Sequence, residues 1–279
     1  MRIEVADRRI LGALRCVDGV TDLPIAMPLQ VAAPGLRLTP GPRGLLVIQG
    51  APGLAALKEI SIPFLEQPSD PPPGQTWPVP ITLSLRETSG RYLPRQVTIQ
   101  LPREPEASEG SSLFDAQPIR LYPAPAGPIA AGWAVLRATV LDVSTGAPRR
   151  LPWAWLRVLQ SSASGGPPSS IPLALAMADG RGEALIAVRT LPLSFGVGGS
   201  RRMDLPVLIE VVVDSRLPDL PEQLNGEPLP EAISAYLPDP DLLEGSGPHR
   251  RVGRSGVLTL KAGRDPPARV VVNLAAPSP

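Results

Sequence analysis

The sequence predicts an all-β protein made of two similar domains in tandem, and three observations predict it. A turn phrase occurs twice, Asp18-Gly-Val-Thr-Asp-Leu-Pro24 and Asp142-Val-Ser-Thr-Gly-Ala-Pro148, each time leaving one apolar run and leading into another. Proline, at 38 residues, is hostile to helices and to central strands but suits the turns and edges of β-sandwiches. The apolar residues, 43% of the chain, fall in short alternating runs of strand period. At 279 residues, either domain is large enough to bury a core of its own.

The first segment reads as strands over Arg9–Val17, Pro28–Ala32 and Gly44–Ile48, with Gly41-Pro42 turning between the last two. Pro52–Ile60 can form a short helical turn, and a Pro-rich loop follows from Gln67 to Pro80. Next come Ile81–Arg86 and Gln96–Leu101, a hairpin turning across Thr88–Arg91. In these two runs Ile81, Leu83, Leu85, Val97, Ile99 and Leu101 share one buried face. Residues 102–112 are polar and turn-forming, and alternating prolines in Leu121–Pro128 suggest a semi-rigid polyproline spacer. The domain boundary is expected at residue 123, giving domains 1–123 and 124–279.

The second segment opens with Trp133–Leu141, turns over Asp142–Pro148, and resumes as Trp153–Leu159. A Ser/Gly/Pro loop, Ser161–Ser170, leads to Leu173–Met177, the turn Asp179–Gly182 and Glu183–Val188. Leu205–Val213 is followed by an irregular stretch, 214–247, with a short helix expected at Glu231–Tyr236. At over 30 residues this stretch is too long for an ordinary loop and reads as a functional insertion or a covering flap. Val257–Lys261 and Arg269–Leu274 can return to the sheet.

The order strand, Asp142 to Pro148, Ala154-x-Leu156-x-Val158, Asp179-Gly-Arg-Gly182, strand resembles the carboxypeptidase regulatory-like, or transthyretin-like, β-sandwich domain. The resemblance covers residues 133–190, and more loosely 10–50, where Asp22 replaces the turn glycine and nothing matches Asp179-Gly180 ahead of Gly44. It implies two tandem immunoglobulin-like or transthyretin-like sandwiches with Pro-rich loops. In that family the domain is a non-catalytic module that folds, spaces or binds, and the fold carries no activity of its own.

The residues point away from chemistry. Cys16 is the only cysteine and His249 the only histidine, so a zinc site lacks ligands and no disulfide can form within the chain. Cys16 lies in an apolar run and reads as core, while His249 reads as an exposed loop residue among arginines. The chain has no Gly-x-Ser-x-Gly elbow. The acids Asp239, Asp241 and Glu244 lack calcium-loop spacing, and Gly196–Arg202 lacks the third glycine and the helix of a dinucleotide site. Asp18 and Asp142 have the place of turn-starting acids that accept backbone N–H groups two residues on. No enzyme activity, cofactor or metal is expected.

A net charge of +1 with 4% aromatics argues against nucleic acid. The residues up to Val20 lack the apolar run of a signal peptide, and no stretch has the length to span a bilayer, which together suggest a cytoplasmic protein. Only two lysines and two asparagines occur, which reads as the codon bias of a GC-rich genome, the alternative being selection for arginine at interfaces.

One surface stands out. With Ala154, Leu156 and Val158 inward, alternation puts Trp153, Trp155 and Arg157 on the opposite face, an interface composition unless the 214–247 stretch covers it. The expectation is a non-catalytic structural or assembly protein that binds protein subunits of a larger bacterial complex. By type it is loosely similar to accessory proteins of phage-tail-like contractile injection systems. The alternative is a carbohydrate- or peptide-binding module that uses the tryptophans as a stacking platform.

Overall fold

The computed structural model describes residues 10–25, 27–51, 78–101, 103, 115–162, 167–189, 194–195, 201–202, 204–245, 249–261 and 267–274. These are mostly strands, and the class is all-β. The expected helical turn at 52–60 and most of the loops at 67–80 and 102–112 lie outside the described residues, as does the body of the glycine-rich loop at 196–200. The chain divides into two compact units: one of residues 1–18, 22–86 and 96–120, the other of 19–21, 87–95 and 121–279.

The first unit holds β1 (Gly12–Asp18), β2 (Leu29–Ala32), β3 (Arg37–Pro40), β4 (Leu45–Gly50), β5 (Val79–Glu87), β6 (Arg95–Leu101) and β7 (Gln117–Leu121). One sheet runs β3-β4-β1-β7 and the other β2-β5-β6. The expected period-2 face is present: Leu83, Leu85, Val97, Ile99 and Leu101 are buried, as are Leu14 and Cys16 on β1. The opposite face of the β5–β6 hairpin is polar, with the Thr82 and Thr98 hydroxyls 3.0 Å apart.

The second unit contains β8 (Ala134–Asp142), β9 (Arg149–Arg150), β10 (Trp155–Gln160), β11 (Ala174–Met177), β12 (Glu183–Val188), β13 (Ser194–Phe195), β14 (Arg201–Arg202), β15 (Asp204–Asp214) and β16 (Leu220–Pro221). Helices α1 (Glu231–Ser234) and α2 (Pro240–Glu244) follow, then β17 (Arg250–Arg254), β18 (Leu258–Lys261) and β19 (Pro267–Val272). One sheet runs β11-β10-β15-β17 with β18 also on β15; the other runs β12-β8-β9-β16 with β19 parallel to β8. Their inner faces share one core: Leu136, Ala138 and Val140 from β8 and Ile186 from β12 meet Leu156 and Val158 from β10 and Ile209 and Val211 from β15.

The two units share part of their strand order. In the first, β1 lies between β4 and β7, and β2-β5-β6 form the other sheet; in the second, β8 has β12 and β19 among its neighbours, and β10-β15-β17 run side by side in the other sheet. The hydrogen bonds repeat as well. Cys16 N–H donates to Gly44 O and Val140 N–H to Gly182 O; Ile25 N–H donates to Cys16 O and Leu151 N–H to Val140 O. Gly41 N–H donates to Leu45 O at 2.7 Å, and Asp179 N–H to Glu183 O at 2.8 Å. Gly41-Pro-Arg-Gly44 is therefore the counterpart of Asp179-Gly-Arg-Gly182, a match the residue types conceal. Asp22 stands at φ 56° where the second turn has Gly146 at 94°, because Asp is among the few side chains that tolerate the left-handed region. The units also differ: β3 pairs with β4 in the first, whereas β11 pairs with β10 in the second.

The expected polyproline spacer is not a spacer. Tyr122 and Pro123 are buried within the second unit, Leu93 N–H donates to Tyr122 O, Ala124 N–H donates to Arg91 O, and Arg137 donates to Pro125 O. The carbonyls of Tyr122, Ala124 and Pro125 all accept from N–H donors within the second unit.

Candidate functional site

The site that sequence reasoning marks is the outer face of the β11-β10-β15-β17 sheet. Ala154, Leu156 and Val158 enter the inner core, so alternation turns Trp155 and Arg157 outward. Trp153 precedes the strand, in a turn, at φ 56°, a backbone region that a bulky side chain rarely occupies. Both indoles are covered by their own chain: Trp155 is 1% exposed and Trp153 8%. Around them pack Met177, Val212, Leu93 and Tyr122, and from the 217–245 stretch Leu220, Ile233 and Leu243. Trp153 Nε1–H donates to Ile233 O at 3.1 Å, and Trp155 Nε1–H to the Tyr122 hydroxyl at 3.4 Å. Of the two readings of this face, the structure has the covering flap; neither tryptophan offers surface to a partner while the flap is seated.

The flap is tied down by ions near its root and at its far end. At the root, Asp214 accepts from Arg216 Nη2 at 2.5 Å and from the Tyr236 hydroxyl at 2.9 Å. Burial alone would raise the Asp214 carboxyl, but these donors outweigh it and hold it below the usual carboxylate range. The Tyr236 phenol is pushed up to about 12 by burial and by the charge of Asp214. Farther along, Arg251 donates to Asp142 at 3.0 Å and lies 3.8 Å from Asp219. At the far end the fully buried Arg95 reaches Asp239 at 3.3 Å and Asp241 at 2.5 Å. Asp239 also caps α2 by accepting Asp241 N–H. Burial pushes the carboxyls of Asp219 and Asp239 up in spite of their arginines.

Asp239 and Asp241 are both engaged by the Arg95 guanidinium, and among the described residues no group of three His, Cys, Asp or Glu is placed to hold a metal ion. Asp142 starts its turn as expected, accepting Ser144 N–H at 3.0 Å and the Ser144 hydroxyl at 2.8 Å. Burial would raise it, yet these bonds, Leu274 N–H and Arg251 keep it low. Cys16 is a buried thiol and His249 an exposed turn residue whose carbonyl accepts Ser215 N–H.

Arg157 remains accessible. It donates to Glu210 Oε1 at 2.9 Å and to Ser170 O, and its guanidinium lies 6.0 Å from the Trp155 ring. Glu210 Oε2 receives Arg254 Nε at 3.1 Å and Nη2 at 2.9 Å, so Arg157, Glu210 and Arg254 form a ladder across β10, β15 and β17. Sequence reading found Arg157 but not its partners. The signal was Glu210 itself, a lone charge inside the apolar run of β15. Arg95 carried none, since its acids lie about 145 positions away.

No helix among the described residues is long and apolar enough to cross a membrane. Comparison with family models, curated proteins and solved structures finds no match for the chain.

Proposed function

We propose that the chain is a non-catalytic structural protein that binds other subunits of a larger bacterial complex, such as a phage-tail-like contractile injection particle. One observation carries the reading: the buried carboxylates described above are each engaged by arginines or by N–H and O–H donors of their own turns. Such groups set shape and strand register; a general acid or base needs a proton it can exchange with a substrate. The Arg–Glu–Arg ladder has the arginine-rich make-up of an interface.

The carbohydrate-binding reading depends on tryptophans presented as a stacking platform, and their burial removes that support. Purification of the tagged chain from its host distinguishes the two. An assembly subunit co-sediments with a large particle and migrates normally on a glycan gel; retarded migration without a particle overturns the proposal.

A further inference from the structure

The geometry points to a second copy of this chain as a partner, docked as a two-fold dimer on the outer face of the second unit. This extends the proposed function, and its test uses the purified chain alone, so it succeeds or fails whatever particle the chain joins.

The outer face of the β11-β10-β15-β17 sheet has two adjoining parts. The row Trp155, Val212, Val252 is covered by the flap. The next row along β15 is the Arg157–Glu210–Arg254 ladder, and Arg254 is 57% exposed. It carries two guanidiniums on one carboxylate and so retains a positive charge. Two exposed aliphatics flank it. Ile171, 75% exposed, follows Ser170, whose carbonyl accepts Arg157; Val257, 60% exposed, lies in the link between β17 and β18.

The flap has the opposite character. From Leu217 to Gly245 the chain has seven acidic side chains and no Lys, Arg or His. Asp219, Glu222, Asp239 and Asp241 pair with Arg251, Arg269 and Arg95, which leaves the exposed Glu227, Glu231 and Glu244 to set the charge of the flap surface. On α2 the exposed residues are Asp241, whose carboxylate holds Arg95, Leu242 and Glu244; Leu242 is 63% exposed, while Leu243 turns into the flap core. The molecule thus carries, on one side of one sheet, a basic patch with exposed Ile and Val and an acidic patch with exposed Leu. A surface that holds both halves of a complementary pair side by side is self-complementary under a two-fold axis. The α2 face of one copy meets the ladder of the other, and the reverse contact forms at the same time. Opposite charges fix the register and orientation, and the three aliphatics supply the buried surface.

The test is sedimentation equilibrium of the full chain over a range of concentrations at low and high salt. The expected result is a monomer–dimer equilibrium that weakens as salt rises. Arg254→Glu and Glu244→Arg should each weaken dimerisation by about tenfold or more. An equimolar mixture of the two should dimerise again, because the mixed pair has one native contact and one reversed but still opposite pair. Arg254→Glu also places an acid beside Glu210, so Ile171→Glu serves as a second variant, weakening the dimer with an unchanged melting temperature. The proposal is overturned by a chain that stays monomeric throughout, by reversals without effect, by a mixture no tighter than its components, or by open-ended oligomers in place of a dimer.

Discussion

Replacing the two tryptophans one at a time tests whether the flap is part of the fold. Trp155 is enclosed on a regular strand, so Trp155→Ala removes a full indole and leaves a cavity, a loss of about 3–5 kcal/mol. Against a domain stability of about 5–15 kcal/mol, that is a large drop in melting temperature. Trp153 is different, because its backbone sits at φ 56°. A side chain in that region costs about 1–2 kcal/mol, which glycine does not incur. Trp153→Ala should therefore lose the packing and the hydrogen bond to Ile233 O while keeping the strain, and Trp153→Gly should be milder by about 1 kcal/mol. The assay is urea denaturation of the three variants followed by far-UV circular dichroism. Were the tryptophans a partner surface, changing both would leave the domain folded; their cover by the flap makes a loss of stability the expected result. A Trp155→Ala cost below about 1 kcal/mol would unseat the flap. Equal costs for Trp153→Ala and Trp153→Gly would refute the left-handed backbone.

The repeated turns give a second comparison. A Cβ at Gly44 would lie 2.2 Å from Ile25 O, whereas one at Gly182 would meet Leu151 N at 3.2 Å, so Gly44→Ala should destabilise its unit more, read by protease resistance of each unit. Asp214 has a depressed carboxyl, so its contribution is present above its ordinary value of 3.8 and is lost as pH falls through its folded value. Asp214→Asn should lower the melting temperature at neutral pH and flatten the acid limb of the melting curve; an unchanged acid limb would refute this. His249→Ala should alter neither stability nor co-sedimentation, since the side chain is exposed; a loss of co-sedimentation with an intact fold would reopen a role for it.

Strand positions were legible because alternation is local. Ile81 to Leu101 can be assigned to faces from residue type alone, and so can Ala154, Leu156 and Val158. The inward half of the candidate site was legible for the same reason. The sequence named the 214–247 stretch as one of two possible covers for Trp155 and left the choice open, because burial of an outward face depends on where a segment some 60 to 90 residues later comes to rest. The Arg95 clasp was hidden by the same distance, and the equivalence of Gly41-Pro42 with Asp179-Gly180 by substitution. That equivalence resides in φ angles and backbone bonds, which different side chains can satisfy. The Leu121–Pro128 spacer failed for a related reason: composition reports the conformation proline prefers, not what binds its carbonyls.

Among the described residues, a difference between the two sheets accounts for the flap on the second unit. On β5 the outward residues are Thr82, Ser84 and Arg86, and on β6 they are Gln96, Thr98 and Gln100, so the outer face of that sheet is content in water. The corresponding strand of the second unit, β15, reads Val211-Val212-Val213, with Val211 and Val213 in the inner core and Val212 beneath the flap beside Trp155. A strand apolar on both faces has to be covered on both. Between β5 and β6 the chain turns within residues 88–94; between β15 and β17 it spends more than 30 residues to supply the cover. The requirement for the flap is thus written in the solvent side of one strand. Glu210 interrupts the apolar face of β15 just where the flap ends, so the cover stops at a charged row instead of continuing along the sheet. Glu210→Leu would extend the apolar face past the flap and strip Arg157 and Arg254 of their shared partner. Its expected outcome is non-specific aggregation rather than the two-fold dimer, measured by light scattering beside sedimentation. A variant that remained monodisperse and dimerised normally would show that the ladder does not set the edge of the covered face.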